Sequence, residues 1–164
     1  MKSLGIDPST KTGIVLLDGQ LMTHGVVQPK GYEGTARIAK IRDEFMNLLL
    51  DFKPDIAVIE GYAYGNKFTL SLMVEINSCM RLCLHDLGIE WYIAPPTVLK
   101  KYVTNSGSAK KPQIAEAVKN RWGFVSPSDD VVDAYVLAQM GKDLAANGVT
   151  PLLKGVERGQ RHLP

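Results

Sequence analysis

Apolar and polar positions alternate at the start of the chain and then change period. Residues 3–7 read as a short strand ending on an acid, Thr12 to Leu17 as a second strand, and Leu21 to Val27 as a third. Asp18-Gly19 supplies the hairpin turn between the last two. Pro29, Gly31 and Gly34 mark residues 28–34 as a loop. From 35 to 52 the period lengthens, and Ile38, Ile41, Phe45, Leu48, Leu49 and Phe52 fall on one helical face. Ile56 to Ile59 is an unbroken apolar run into Glu60, which suits a strand buried on both faces. The pattern then predicts a helix over 69–87 stopped by Gly88, and a fifth strand over 89–94. Thr97 heads a short helix through Tyr102, 104–109 is a polar loop, and 111–121 is helical with Pro112 in its first turn. Ser126-Pro127 is expected to cap a last helix over 127–146, and the chain beyond Gly148 reads as a mobile tail.

Three antiparallel strands come first; the later strands are separated by helices and must return by right-handed crossovers, so they join the sheet in parallel. The expected fold is α/β: a mixed five-stranded sheet with helices on both faces. It forms one domain over residues 1–148, followed by a basic tail over 149–164.

Composition narrows the class. The chain has 164 residues, 45% hydrophobic and 22% charged, enough for one globular core. No apolar run reaches the ~18 residues of a membrane helix, and the N-terminus enters a strand without a signal-like stretch. A cytosolic protein with no membrane partner is expected. Net charge is only +2, but its distribution is uneven. Lys100, Lys101, Lys110, Lys111, Lys119 and Arg121 face Glu116 alone, and the tail adds Lys154, Arg158 and Arg161 against Glu157. Local basic patches on a near-neutral chain suit a polyanion, although a solvated helix surface would look the same. Cys79 and Cys83 stand four apart on one helix, a poor geometry for a disulfide and too few ligands for zinc, so they read as free thiols.

The acids carry the chemistry. Asp7 and Glu60 each end an apolar strand, and Asp129-Asp130-Val131-Val132-Asp133 opens an apolar helix. Asp130 and Asp133 share a face that Ala134, Leu137, Ala138 and Gly141 continue, so the pair should point inward at the sheet edge. Carboxylates in such places repel one another and lose hydration; they are tolerable when protonated or when cations lie between them. Simpler roles exist for each acid alone: Asp7 capping a turn through Ser9 and Thr10, Asp129 and Asp130 on a helix dipole, Glu60 paired with a lysine. If the last helix crosses the ends of the first and fourth strands, Asp7, Glu60, Asp130 and Asp133 converge. They then hold about four negative charges, which two Mg²⁺ ions would balance for phosphoryl transfer.

Four segments together resemble the RuvC family of Holliday junction resolvases, over nearly all of residues 3–146. They are Gly5-Ile6-Asp7-Pro8, Ile59-Glu60, Ala94-Pro95 through Val103-Thr104-Asn105-Ser106-Gly107-Ser108-Ala109-Lys110-Lys111, and Asp130-Val131-Val132-Asp133-Ala134. The resemblance implies a ribonuclease H-like fold. It also implies a metal-dependent endonuclease that cuts branched DNA by paired symmetric nicks, leaving 5′-phosphate and 3′-hydroxyl ends. Asp7, Glu60, Asp130 and Asp133 would be the catalytic metal ligands, Asp7 bridging two Mg²⁺ ions, with Mn²⁺ as a substitute. Lys111 would be the catalytic basic residue; Lys100 matches a second basic position if a gap follows Pro95, with Lys101 competing for it. Lys100, Lys101, Lys110 and Lys111 would contact DNA. Ala63 stands at the family's aromatic wedge, flanked by Tyr62 and Tyr64, either of which could stack on an exposed base or simply anchor the loop. Asn105 stands where the family often has glycine, so the loop there is expected to bend differently. Two symmetric cuts on a four-way junction call for a two-fold homodimer, and the helix over 69–87 is apolar on more than one face.

Three rivals remain on sequence. One is a YqgF-like RNA-processing nuclease of the same fold. A second is a catalytically inactive junction-binding module, against which the four acids argue. The third is an actin-like ATPase, suggested by Gly5 to Thr10 but needing a much longer, duplicated chain.

Overall fold

The computed structural model describes residues 1–62 and 67–159, with 67–69 as backbone only. Strands β1 (Lys2–Asp7), β2 (Thr12–Asp18) and β3 (Leu21–Val27) form an antiparallel meander. After helix α1 (Gly34–Phe52), β4 (Ile56–Glu60) lies parallel to β1. After α2 (Lys67–Asp86), β5 (Glu90–Ala94) lies parallel to β4. Helices α3 (Pro96–Thr104), α4 (Lys111–Trp122) and α5 (Asp129–Asn147) follow. The parallel additions match the expected crossovers. The sheet has six strands, however, in the order β3-β2-β1-β4-β5-β6, because β6 (Glu157–Arg158) pairs antiparallel with the β5 edge.

That sixth strand corrects the expected mobile tail. After a 3₁₀ turn (Pro151–Leu153), Leu153 and Val156 are buried, and the Gly159 N–H donates to the Trp91 carbonyl at 2.8 Å. Alternate apolar anchors in so short a segment fall below any periodic pattern, which is why the sequence reads as a tail. Residues 160–164, and Arg161 with them, lie outside the described residues.

Helix ends also differ by a few residues. α5 starts at Asp129 with Ser128 in the capping position, because Ser126 Oγ accepts the Ser128 N–H at 3.2 Å and makes a turn first. α3 starts behind Pro95 rather than Thr97 and ends on Asn105, whose φ of 63° is left-handed. Asparagine tolerates that conformation better than most residues, so Asn105 turns the chain as a glycine would.

The sheet separates two cores. Leu4, Ile6, Ala57 and Ile59 pack with α1 and α2. Ile56, Val58 and Ala94 pack with α3, α4 and α5. Side chains alternate along a strand, so Ser3, Gly5 and Asp7 point to the α5 face, and Glu60 joins Ile56 and Val58 there.

Candidate active site

Asp7 and Glu60 come together by register. Gly5 lies opposite Val58 and Ile6 opposite Ile59 on the adjacent parallel strands. The next step outward on the same face sets Asp7 beside Glu60. The turn after Asp7 is held by its own polar residues: Thr12 Oγ1 donates to the Ser9 carbonyl at 2.8 Å, and the Ser9 N–H donates to Thr12 Oγ1 at 3.1 Å. Behind Glu60, buried Asn77 donates from Nδ2 to the Glu60 carbonyl at 2.8 Å, and the Gly61 N–H donates to the Ala94 carbonyl at 2.8 Å.

Helix α5 brings the remaining acids because small residues let it lie directly on the sheet. A Cβ at Gly5 would overlap the Ala134 carbonyl oxygen, and one at Gly13 would overlap the Asp130 carbonyl. A Cβ at Gly141 would overlap Ser3 Oγ, which instead donates to the Ala138 carbonyl at 2.7 Å. Backbone contact at Asp130 and Ala134 sets Asp130 and Asp133 beside the ends of β1 and β4.

The electrostatics register that convergence. Asp7 is 7% exposed. Burial first, and the Asp130 charge after it, raise its pKa from 3.8 to about 6, against a hydrogen bond from Glu60 and the Lys111 charge. Glu60 is pushed well above the usual carboxylate range by burial, then by the Asp7 charge and its hydrogen bond to Asp7, then by Asp133; Lys100 opposes the rise. Burial, followed by the Asp7 charge, raises Asp133 to about 7, with Lys111 opposing. A hydrogen bond between two carboxyls needs a proton, and the directions of these shifts make Glu60 the donor and Asp7 the acceptor. Asp7 therefore interacts with each of the other three acids predicted from sequence, with Lys100 and Lys111 as cations within reach.

Among the described residues no three acidic, histidine or cysteine side chains enclose an ion as they stand. The donor chemistry nonetheless suits a hard divalent cation. The oxygens are carboxylates, which a hard cation prefers, and burial raises the pKa of Asp7, Glu60 and Asp133. The proton between Asp7 and Glu60 occupies the role a cation would take, so binding must displace it.

The other predicted residues divide. Lys111 Nζ is 3.2 Å from Asp129 Oδ2 at the rim. Lys101 and Lys110 are exposed, and the Lys110 N–H caps α4 by donating to Gln113 Oε1 at 2.8 Å. Tyr62 lies back on α2, its ring 4.8 Å from the Arg81 guanidinium carbon and its hydroxyl 3.4 Å from Ser78 Oγ. Ala63 and Tyr64 lie outside the described residues. Cys79 and Cys83 are free thiols. Sequence reasoning missed Ser3, Gly5 and Gly13 as the seat of α5, and Asp129 as the partner of Lys111. The strand parity of Ser3 and Gly5 with Asp7 is the available signal, while Gly13 joins them only through the β1–β2 register; nothing along the chain links Asp129 to Lys111.

No family model matches the sequence. The crossover junction endodeoxyribonuclease RuvC of Chloroflexus aggregans is 30% identical over 148 residues, covering 84% of this chain and 90% of that protein. The solved Thermus thermophilus RuvC structure matches with a TM-score of 0.74 at 19% identity, over 97% of this chain and 100% of that one. The T. thermophilus RuvC structure in complex with a Holliday junction substrate matches with a TM-score of 0.75 at 17% identity, over 97% and 99%. The fold is thus the ribonuclease H-like one that the resemblance implied, with one strand added at its edge.

Proposed function

The chain belongs to the RuvC family of crossover junction endodeoxyribonucleases, and from that premise we propose that it resolves four-way DNA junctions by metal-dependent hydrolysis. The observation that carries the reading is the electrostatic interaction of Asp7 with Glu60, Asp130 and Asp133 where the ends of the central strands β1 and β4 meet α5. Asp7, Glu60, Asp130 and Asp133 would hold divalent cations, two Mg²⁺ per site with Mn²⁺ as a substitute. When bound, these would supply an activated water and charge stabilisation at the scissile phosphate.

The side chains have distinct tasks in this reading. Asp7, at the end of β1, would give up its hydrogen bond from Glu60 so that both carboxylates could hold the cations. Lys111, drawn by Asp129, Asp130 and Asp133, offers its ammonium to a phosphate oxygen. Lys100, near Glu60, does so from α3. Water adds to phosphorus, the bond to O3′ breaks, and the products are a 5′-phosphate and a 3′-hydroxyl. The test is a mobile and a fixed four-way junction incubated with Mg²⁺: symmetric paired nicks support the reading, and intact DNA rejects it.

Away from the carboxylates, exposed Lys101 and Lys110 would contact backbone phosphates. Neutralising both should flatten the log–log salt slope of junction binding by about 1.8. An unchanged slope, measured by fluorescence anisotropy, would remove them from the footprint.

Symmetric cutting calls for a two-fold pair of chains. On α2, Val74 and Leu82 are 37% and 62% exposed. Leu82 borders a groove of about 460 Å³ between α1 and α2, lined also by Ile38, Arg42 and Cys79. We place the dimer contact there. Leu82→Glu should weaken self-association by roughly a hundredfold, as for an apolar anchor lost from an interface. Sedimentation velocity reads this directly, and a variant that sediments like the wild type places the contact elsewhere.

A further inference from the structure

Lys111 occupies an unusual position: a cation at the rim of an acid-rich pocket, bound to an acid that is not one of the four inside. Its backbone is fixed at the start of α4, where Ala109 and Ile114 are buried on either side. Among the described residues its Nζ makes one ion pair within 4 Å, to Asp129 Oδ2 at 3.2 Å, with both side chains more than half exposed. Asp130 and Asp133 attract it as well, from deeper in the same cluster, and it in turn acts on Asp7. Asp129 is the first residue of α5, one turn before Asp133, so the acid that holds the lysine and an acid that would hold a cation share one rigid helix.

We propose that Asp129 is a positioning residue that tethers the Lys111 ammonium at the rim of the carboxylate pocket and so keeps it from acting as a built-in counter-ion inside. The physical argument is competition. A lysine amine on a flexible stem is present at a high effective concentration near its own site. Without Asp129, the strongest remaining attraction on Lys111 comes from Asp7, Asp130 and Asp133. The ammonium then moves inward, neutralises acids that a divalent cation needs, and leaves the rim where a phosphate would meet it. With Asp129 present, an exposed pair worth little in stability is still enough to choose between two nearby seats of similar energy.

The inference rests on the reading of the four acids as a cation site, and its test keeps the two apart. Mg²⁺ is titrated into wild type, Asp129→Asn, Asp129→Glu, Lys111→Met and the Asp129→Asn/Lys111→Met double variant, and the half-saturating concentration is read from the rise in melting temperature. Asp129→Asn should raise that concentration about fivefold, the equivalent of one exposed ion pair, while Asp129→Glu stays near wild type. In the Lys111→Met background the same Asn substitution should change it less than about twofold, because the tethered group is gone. Equal effects in both backgrounds would mean that Asp129 acts only through its own charge, and no effect in either would mean that it does nothing; both overturn the inference. A wild-type protein that takes up no Mg²⁺ overturns the cation reading itself, and the role of Asp129 with it.

Discussion

Asp7→Asn should abolish nicking by at least ~1,000-fold, as losing a central member of a cooperating catalytic set does, while leaving junction affinity almost unchanged and making the cation-free protein more stable. The opposite signs on activity and stability are the informative part. Asp7 is almost wholly buried beside acids, so its charged form is unfavourable in the fold. Its pKa of about 6 against 3.8 corresponds to roughly 3 kcal/mol of destabilisation once both states have lost the proton. An asparagine of the same shape carries no such penalty. At about 2–4 °C per kcal/mol for a chain of this size, the melting temperature should rise by several degrees.

The pH dependence follows from the same direction. The folded state takes up its proton near pH 6 and the unfolded chain near 3.8, so the native form holds more protons between them. Stability therefore falls as pH rises through that window, and the full penalty is present above it. Asp133, raised to about 7, extends the decline toward neutrality. Added Mg²⁺ should offset the penalty in the wild type by binding the folded form alone and do far less in Asp7→Asn. Thermal melts with and without Mg²⁺, between pH 5 and 8, check all of this. An Asp7→Asn protein no more stable than wild type at pH 8 without Mg²⁺ would show that the acid is not held against repulsion. Loss of junction binding in a folded variant would show that it is not primarily a metal ligand.

Much of this arrangement was legible in the sequence, for reasons that can be located. Strands β1 to β5 carry strong alternation or unbroken apolar runs, and two helix-length segments separate the later ones, so topology follows from handedness alone. The acids stood out because each interrupts an apolar pattern at its end. Strand parity puts Asp7 on the face of Gly5 and Glu60 on that of Val58; that these faces coincide is a matter of register, in which Gly5 lies opposite Val58. What stayed hidden depends on contacts between distant segments. β6 is two residues long and is held by Trp91 and buried Leu153 and Val156, none of which forms a pattern. The Lys111–Asp129 pair joins two helix starts across a loop and has no local signature. Asn105 departs from the family's glycine and takes a left-handed φ of 63°, a conformation that follows from the turn rather than from any periodic pattern.

Gly5→Ala is the second large effect, and it tests why the four acids meet at all. A methyl group at this position points into the Ala134 carbonyl, with the Ala138 amide nitrogen 2.5 Å away. Both obstacles are helix backbone rather than the end of a side chain, so no rotamer change relieves them. α5 must lift from β1, and the Ser3 Oγ bond to the Ala138 carbonyl, 2.7 Å in the wild type, is strained with it. Overpacking of a close core contact costs about 1–3 kcal/mol and more where the neighbour cannot move, so urea unfolding should show a loss at or above the top of that range. Gly25→Ala is the matched comparison: it also lies in a strand, on β3, but nothing stands within 4 Å of its added Cβ. Its stability should change by less than about 0.5 kcal/mol. The two variants should part further in activity. Gly25→Ala should nick normally, while the folded fraction of Gly5→Ala should need more Mg²⁺, because Asp130 and Asp133 ride on the displaced helix and Asp7 and Glu60 do not. If Gly5→Ala proves as stable and as active as Gly25→Ala, the close seating of α5 is not what assembles the site.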